Sequence, residues 1–75
     1  MDKNVFYELG LSQNEGKVYL TLVEFGKLSA NDLSGKSGVP YGRIYDVLES
    51  LKNKGLVVVV PEKTKKFIPA ATFYR

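Results

Sequence analysis

Leu28–Phe67, LSANDLSGKSGVPYGRIYDVLESLKNKGLVVVVPEKTKKF, is the stretch that decides the fold. Ser29 and Asp32 form an S-x-x-D start signal for a short helix with Leu33 as its inward anchor. Gly35 and Gly38 limit that helix, and Gly38-Val39-Pro40 makes a tight turn. Pro40 suits the first position of the next helix, because proline has no N–H to leave unpaired. At 100° per residue, Ile44, Val47, Leu48 and Leu51 fall on one side of it and predict a buried stripe. Lys52 and Lys54 complement the dipole of the last turn, and Gly55 stops the helix. Leu56–Val60 is short and β-branched, so it reads as a strand. Pro61–Lys65 carries turn chemistry. Lys66–Ala70 reads as a return strand, with Phe67 folded onto the core and Pro69 suited to an edge. Helix, turn, helix, hairpin is the layout of a winged helix-turn-helix: mainly α, with a small β-hairpin.

Upstream, Ser12 and Glu15 form a capping box. The helix it starts puts Val18, Tyr19, Leu22 and Val23 at one-face spacing and ends at Gly26. Gly16, inside that helix, costs about 1 kcal/mol relative to alanine. A close helix approach and plain tolerance explain it equally well. Lys27-Leu28 adds a brief strand. Asp2 caps an extra N-terminal helix that buries Val5, Phe6 and Leu9 and stops at Gly10. The tail, Ala71–Arg75, ends on an apolar-aromatic Thr-Phe-Tyr. The expected architecture is a three-helix core plus wing, with this N-terminal helix added.

The 75 residues make one domain, 1–75, without room for a second core. With no cysteine and no histidine, disulfides and the common zinc schemes are excluded. The longest apolar run, Leu56–Val60, is strand-sized, and the N-terminus lacks the apolar stretch of a secretory signal. The expected location is cytoplasmic. Charge is unevenly placed: residues 1–26 hold two lysines against four carboxylates, and residues 27–75 hold nine basic side chains against four acidic. A basic C-terminal two-thirds suits a polyanionic partner. Ordinary solvated lysine gives the same count, so position must decide between the two.

Opposite the predicted stripe lie Gly42, Asp46, Glu49 and Asn53, flanked by Arg43 and Ser50 on one side and Tyr45 on the other. The N-terminal end of such a helix enters a major groove first. Arg43 has the fork that fits guanine O6 and N7, or a phosphate. Tyr41 and Tyr45 can donate to phosphate or stack on sugar and base. Sealing the turn (Tyr41) or packing half-buried against the wing (Tyr45) are the plain alternatives. Gly42 lets the backbone come close. Asp46 is able to accept from cytosine N4, although it and Glu49 repel phosphate and suit a stretch that has left the groove, steadying nearby lysines. Lys63, Thr64, Lys65 and Lys66 form a cationic hairpin tip that reaches flanking phosphates or the minor groove. Such a tip also guards an edge strand against aggregation. Ser29, Ala30 and Asn31 begin the shorter helix, whose free N–H groups suit a phosphate. These residues form the candidate DNA contact set.

Three stretches together carry a family likeness. Leu9-Gly10-Leu11-Ser12 leads into Lys17-Val18-Tyr19-Leu20. Ser37-Gly38-Val39-Pro40 makes the turn. Ile44-Tyr45-Asp46-Val47-Leu48 runs on to Leu51 and Lys54-Gly55-Leu56-Val57. In this order and spacing they resemble the DNA-binding half of the TrmB-like transcriptional regulators, abundant in archaea, over residues 5–70. The resemblance implies a winged helix that binds operator DNA as a homodimer, with Pro40–Asn53 as reader and Lys63–Lys66 as wing tip. The family usually continues into a long C-terminal region that dimerises and senses sugars. None of it is in this sequence, so no sugar site or other small-molecule site is carried over. Gly16 stands where the family favours alanine, and Gly42 where a side chain is usual.

The expected function is transcriptional regulation by occupying double-stranded DNA, without chemistry or cofactor. The competing reading is a winged helix that binds protein instead, a reading Asp46 and Glu49 keep open. An enzyme is disfavoured: there is no nucleophile–base set, no phosphate loop and no convergent carboxylate pair.

Overall fold

The computed structural model describes residues 10–70. The elements run α1 (Gln13–Phe25), β1 (Leu28–Ser29), α2 (Ala30–Ser37), α3 (Tyr41–Asn53), β2 (Val57–Val60) and β3 (Lys66–Pro69). Three helices carrying a small antiparallel sheet are the winged-helix architecture read from the sequence. The expected helix after Asp2 and the tail from Ala71 lie outside the described residues.

The capping box at α1 is reciprocal. Ser12 N–H donates to Glu15 Oε1 at 2.8 Å, and Glu15 N–H donates to Ser12 Oγ at 3.2 Å. Val18, Tyr19 and Leu22 are buried, but Val23 is 38% exposed. It sits roughly 90° around the helix from the middle of that stripe, on the flank rather than the face. Gly16 is buried.

Ser29 Oγ accepts from Asp32 N–H at 3.2 Å and starts α2. Gly35 does not limit this helix. It lies inside α2 on an exposed side, and Gly38 alone, left-handed at φ 82°, ends it. Two serines complete the turn: Ser34 Oγ donates to the Val39 carbonyl at 2.7 Å, and Val39 N–H donates to Ser37 Oγ at 3.2 Å. With its backbone satisfied, Val39 is buried as the plug between α2 and α3.

Pro40 is the residue before α3 rather than its first: its backbone is extended (φ −56°, ψ 143°), and its carbonyl accepts from Arg43 N–H. At the other end, Leu56 N–H donates to the Leu51 carbonyl and Gly55 N–H to the Lys52 carbonyl. That pair of bonds is a Schellman stop, with buried Leu56 against buried Leu51. Gly55 has φ 77°, and a Cβ there would meet nothing within 4 Å. Gly55→Ala therefore pays only backbone strain, about 1–2 kcal/mol. A urea melt should show the midpoint fall with unchanged slope.

The sheet order is β1-β3-β2, all antiparallel. The return strand is thus central, and Pro69 is not on an edge strand. Its missing N–H still costs nothing. Ala70 N–H points toward β2, donating to the Leu56 carbonyl. The Pro69 nitrogen therefore faces the β1 side, where β1 pairs only with Lys66 and Phe67. One cluster joins Val18, Leu22, Leu33, Val39, Ile44 and Leu51 to Leu56, Val57 and Phe67 under the sheet.

Candidate nucleic-acid interface

The core fixes which side of α3 looks out. Ile44 and Leu51 are fully buried, and Val47 and Leu48 nearly so. Tyr41, Gly42, Arg43, Tyr45 and Asp46 are all exposed in consequence. The Arg43 guanidinium makes no hydrogen bond or ion pair among the described residues. Tyr41 and Tyr45, one turn apart, meet edge to face with ring centroids 5.9 Å apart. A hydrogen bond with Tyr45, with its nearby charge second, holds the Tyr41 hydroxyl above its ordinary pKa. Each ring is about half exposed (52% and 49%), which leaves a face for a further partner. An added Cβ at Gly42 would meet nothing within 4 Å, so the helix surface is open there.

The wing reaches the same side. Tyr45 and Lys65 line one small cleft, about 90 Å³, together with Glu49, Lys52, Val59 and the edges of Leu48 and Phe67. α3 and the hairpin tip thus share a surface, with Tyr45 and Lys65 lining the cleft between them. Lys63, Thr64 and Lys65 are exposed, and no carboxylate among the described residues pairs with either lysine. Lys66 differs. It is half-buried, with its Nζ 3.5 Å from Glu62 Oε1, while Glu62 Oε2 takes a hydrogen bond from Lys27 Nζ. Chiefly through the Lys27 hydrogen bond, these two cations hold the Glu62 carboxyl below its ordinary value, against the opposing pull of desolvation.

Two members of the candidate set part company at α2. Asn31 is exposed on the first turn, whereas Ser29 is buried and spends its hydroxyl on the helix cap. Asp46 and Glu49 are exposed, but they steady no lysine: among the described residues the carboxylates in ion pairs are Glu15 and Glu62.

Glu15 does more than cap. Its carboxylate, nearly buried, also accepts from Ser50 Oγ and from Lys54 Nζ at 2.8 Å. Lys54 donates in turn to the Gly10 carbonyl at 3.1 Å. Burial works to raise the Glu15 pKa, and the bonds from Lys54, Ser50 and the Ser12 backbone overcome it, leaving the group below its ordinary value. The tie binds the start of α1 to the end of α3, so it helps hold α3 in place.

Among the described residues no cluster of carboxylates could hold a metal ion, and no helix is long and apolar enough to cross a membrane. The family model described as sugar-specific transcriptional regulator TrmB matches residues 6–72. The chain belongs to the TrmB family. Among TrmB relatives, the sugar-sensing transcriptional regulator TrmBL1 of Pyrococcus furiosus is 42% identical over 62 residues, covering 83% of this chain and 18% of that protein. The DNA-binding transcriptional repressor TrmBL2 of Thermococcus kodakarensis is 43% identical over 63 residues, covering 84% and 23%. A solved structure of TrmBL2, an archaeal chromatin protein with a novel mode of DNA binding, superposes with TM-score 0.84 at 38% identity. That match covers 95% of this chain and 28% of the TrmBL2 chain. The chain thus spans about a fifth of the length of the curated TrmB relatives it matches.

Proposed function

We propose that the chain is the DNA-binding domain of a TrmB-type transcriptional regulator, acting as one unit over residues 1–75. The N-terminal half of α3 enters the major groove of operator DNA. Lys63, Thr64, Lys65 and Lys66 lie on flanking phosphates or in the minor groove, and Asn31 with the start of α2 rests on the backbone. One observation carries this reading most: the burial of Ile44, Val47, Leu48 and Leu51 leaves an arginine, unpaired among the described residues, and two phenols on a surface shared with the cationic tip. A relative named as a DNA-binding transcriptional repressor and another named as a transcriptional regulator support it. The work is occupancy of a site, without catalysis or cofactor. We propose a cytoplasmic homodimer, because paired half-sites one helical turn apart mirror a two-fold axis.

Duplex titration followed by fluorescence anisotropy at several salt concentrations tests this. Binding should weaken steeply with salt. A Lys63→Ala, Lys65→Ala double variant should lose about fivefold in affinity, equally across sequences, and flatten the log–log slope by nearly 2. Absence of duplex binding at low salt would instead favour a protein-binding winged helix.

A further inference from the structure

Pro61 closes a tight turn in which Glu62 N–H donates to the Val60 carbonyl at 2.9 Å. Glu62 is thereby fixed at the start of the wing tip rather than free on it. Side chains alternate across the sheet. Leu28 and Phe67 are register partners and face the core, so their neighbours Lys27 and Lys66 face outward. There the Glu62 carboxylate sits between the two ammonium groups, one oxygen on each. Lys27 leads directly into β1 and the first turn of α2, and Lys66 adjoins the tip lysines. The group therefore lies between the two surfaces assigned to phosphate contact.

A backbone phosphate has the charge and the acceptor oxygens of that carboxylate. The three side chains remain 50%, 37% and 29% exposed, in the order Lys27, Glu62, Lys66. Surface ion pairs of this kind are weak and exchange readily. We infer that Lys27 and Lys66 form a phosphate subsite for duplex DNA, and that Glu62 occupies it in the free protein as a built-in competitor. This rests on the reading that duplex DNA is the ligand. It adds Lys27 to the contact surface and makes Glu62 a residue that sets affinity without touching DNA. Phosphate enters as the carboxylate leaves, so part of the salt sensitivity these lysines could give is masked in the native chain.

Glu62→Gln removes the competitor, and Glu24→Gln removes the same charge from an exposed position on α1, beside the α1–α2 groove. In anisotropy titrations with a random-sequence duplex, Glu62→Gln should tighten binding about fivefold and steepen the salt slope by up to ~0.9. Glu24→Gln should change affinity less than about twofold, because no ion pair among the described residues joins Glu24 to Lys27 or Lys66 and its charge acts on the duplex only through screening solvent. Lys27→Gln should cost less than about twofold in the parent and about fivefold in the Glu62→Gln background, because only without the Glu62 carboxylate is the lysine already free. Equal effects of the two glutamine variants, or an equal cost of Lys27→Gln in both backgrounds, would overturn the subsite. A parent that binds no duplex would overturn this inference and the proposed function together. A parent that binds, with Glu62→Gln indistinguishable from Glu24→Gln, would remove the subsite alone.

Discussion

Arg43→Ala lowers affinity for the preferred duplex by about tenfold to a hundredfold and flattens the preference for its best base step. The reason is positional. Arg43 stands one residue before fully buried Ile44, so the core itself sets its outward direction. No hydrogen bond or ion pair among the described residues competes for the guanidinium. The bidentate fork is therefore free for guanine, and its loss removes base readout as well as charge. For the same reason the fold should not notice: stability stays within about 0.5 kcal/mol of the parent, as for other exposed side chains without partners. Arg43→Lys separates the two contributions. It keeps the charge and loses the fork, so it should restore the salt slope but not the base preference. Competition titrations across a panel of single-base variants would measure both. An Arg43→Ala protein with parental selectivity would move the reading surface elsewhere.

Glu15→Ala should destabilise the domain by about 3 kcal/mol. The substitution leaves three donors without their acceptor: Ser12 N–H, Ser50 Oγ and Lys54 Nζ. Lys54 is about a third exposed and recovers water, which keeps the loss near the lower end for a broken buried pair. A domain of 75 residues has a total stability on the order of 5–10 kcal/mol, so this is a large share. The pH dependence has a definite sign. The folded pKa of Glu15 is depressed below 4.5. Its contribution is therefore complete above the unfolded value and drains away as pH falls through the folded one. Glu15→Gln should flatten that acid limb in urea melts between about pH 6 and pH 3. Melts of Glu15→Ala within about 0.5 kcal/mol of the parent would show that the α1–α3 tie is not holding the fold.

The helical part of the fold was legible because its signals are local. The Ser12–Glu15 capping box, the Ser29 cap, the Lys54-Gly55-Leu56 stop and the α3 stripe each span a few residues, and each is where its pattern put it. The outward face of α3 followed from that stripe. The misses in the sheet and in the ties between elements have a common cause in long-range pairing. β1 is two residues long, too short for any alternation to show. Its pairing with β3 makes the return strand central and overturns the edge reading of Pro69. The Glu15–Ser50 and Glu15–Lys54 bonds join residues 35 and 39 apart. Lys27 meets Glu62 across 35. A spacing rule sees one turn of helix or one step of strand, so none of these contacts had a signature. The Glu62–Lys66 spacing of four was visible, but nothing local said that Lys27 would complete it. Ser29 was legible for the same local reason: its hydroxyl accepts from Asp32 N–H, as its capping pattern said.

Titrating isotope-labelled chain with operator duplex and following backbone amide resonances by NMR tests the central claim most directly. The largest changes should fall on Tyr41–Asp46, Asn31 and Lys63–Lys65, and should shrink as salt is raised. Changes confined to the groove between α1 and α2, around Lys17, Leu20, Val23 and Lys36, with α3 silent, would contradict it.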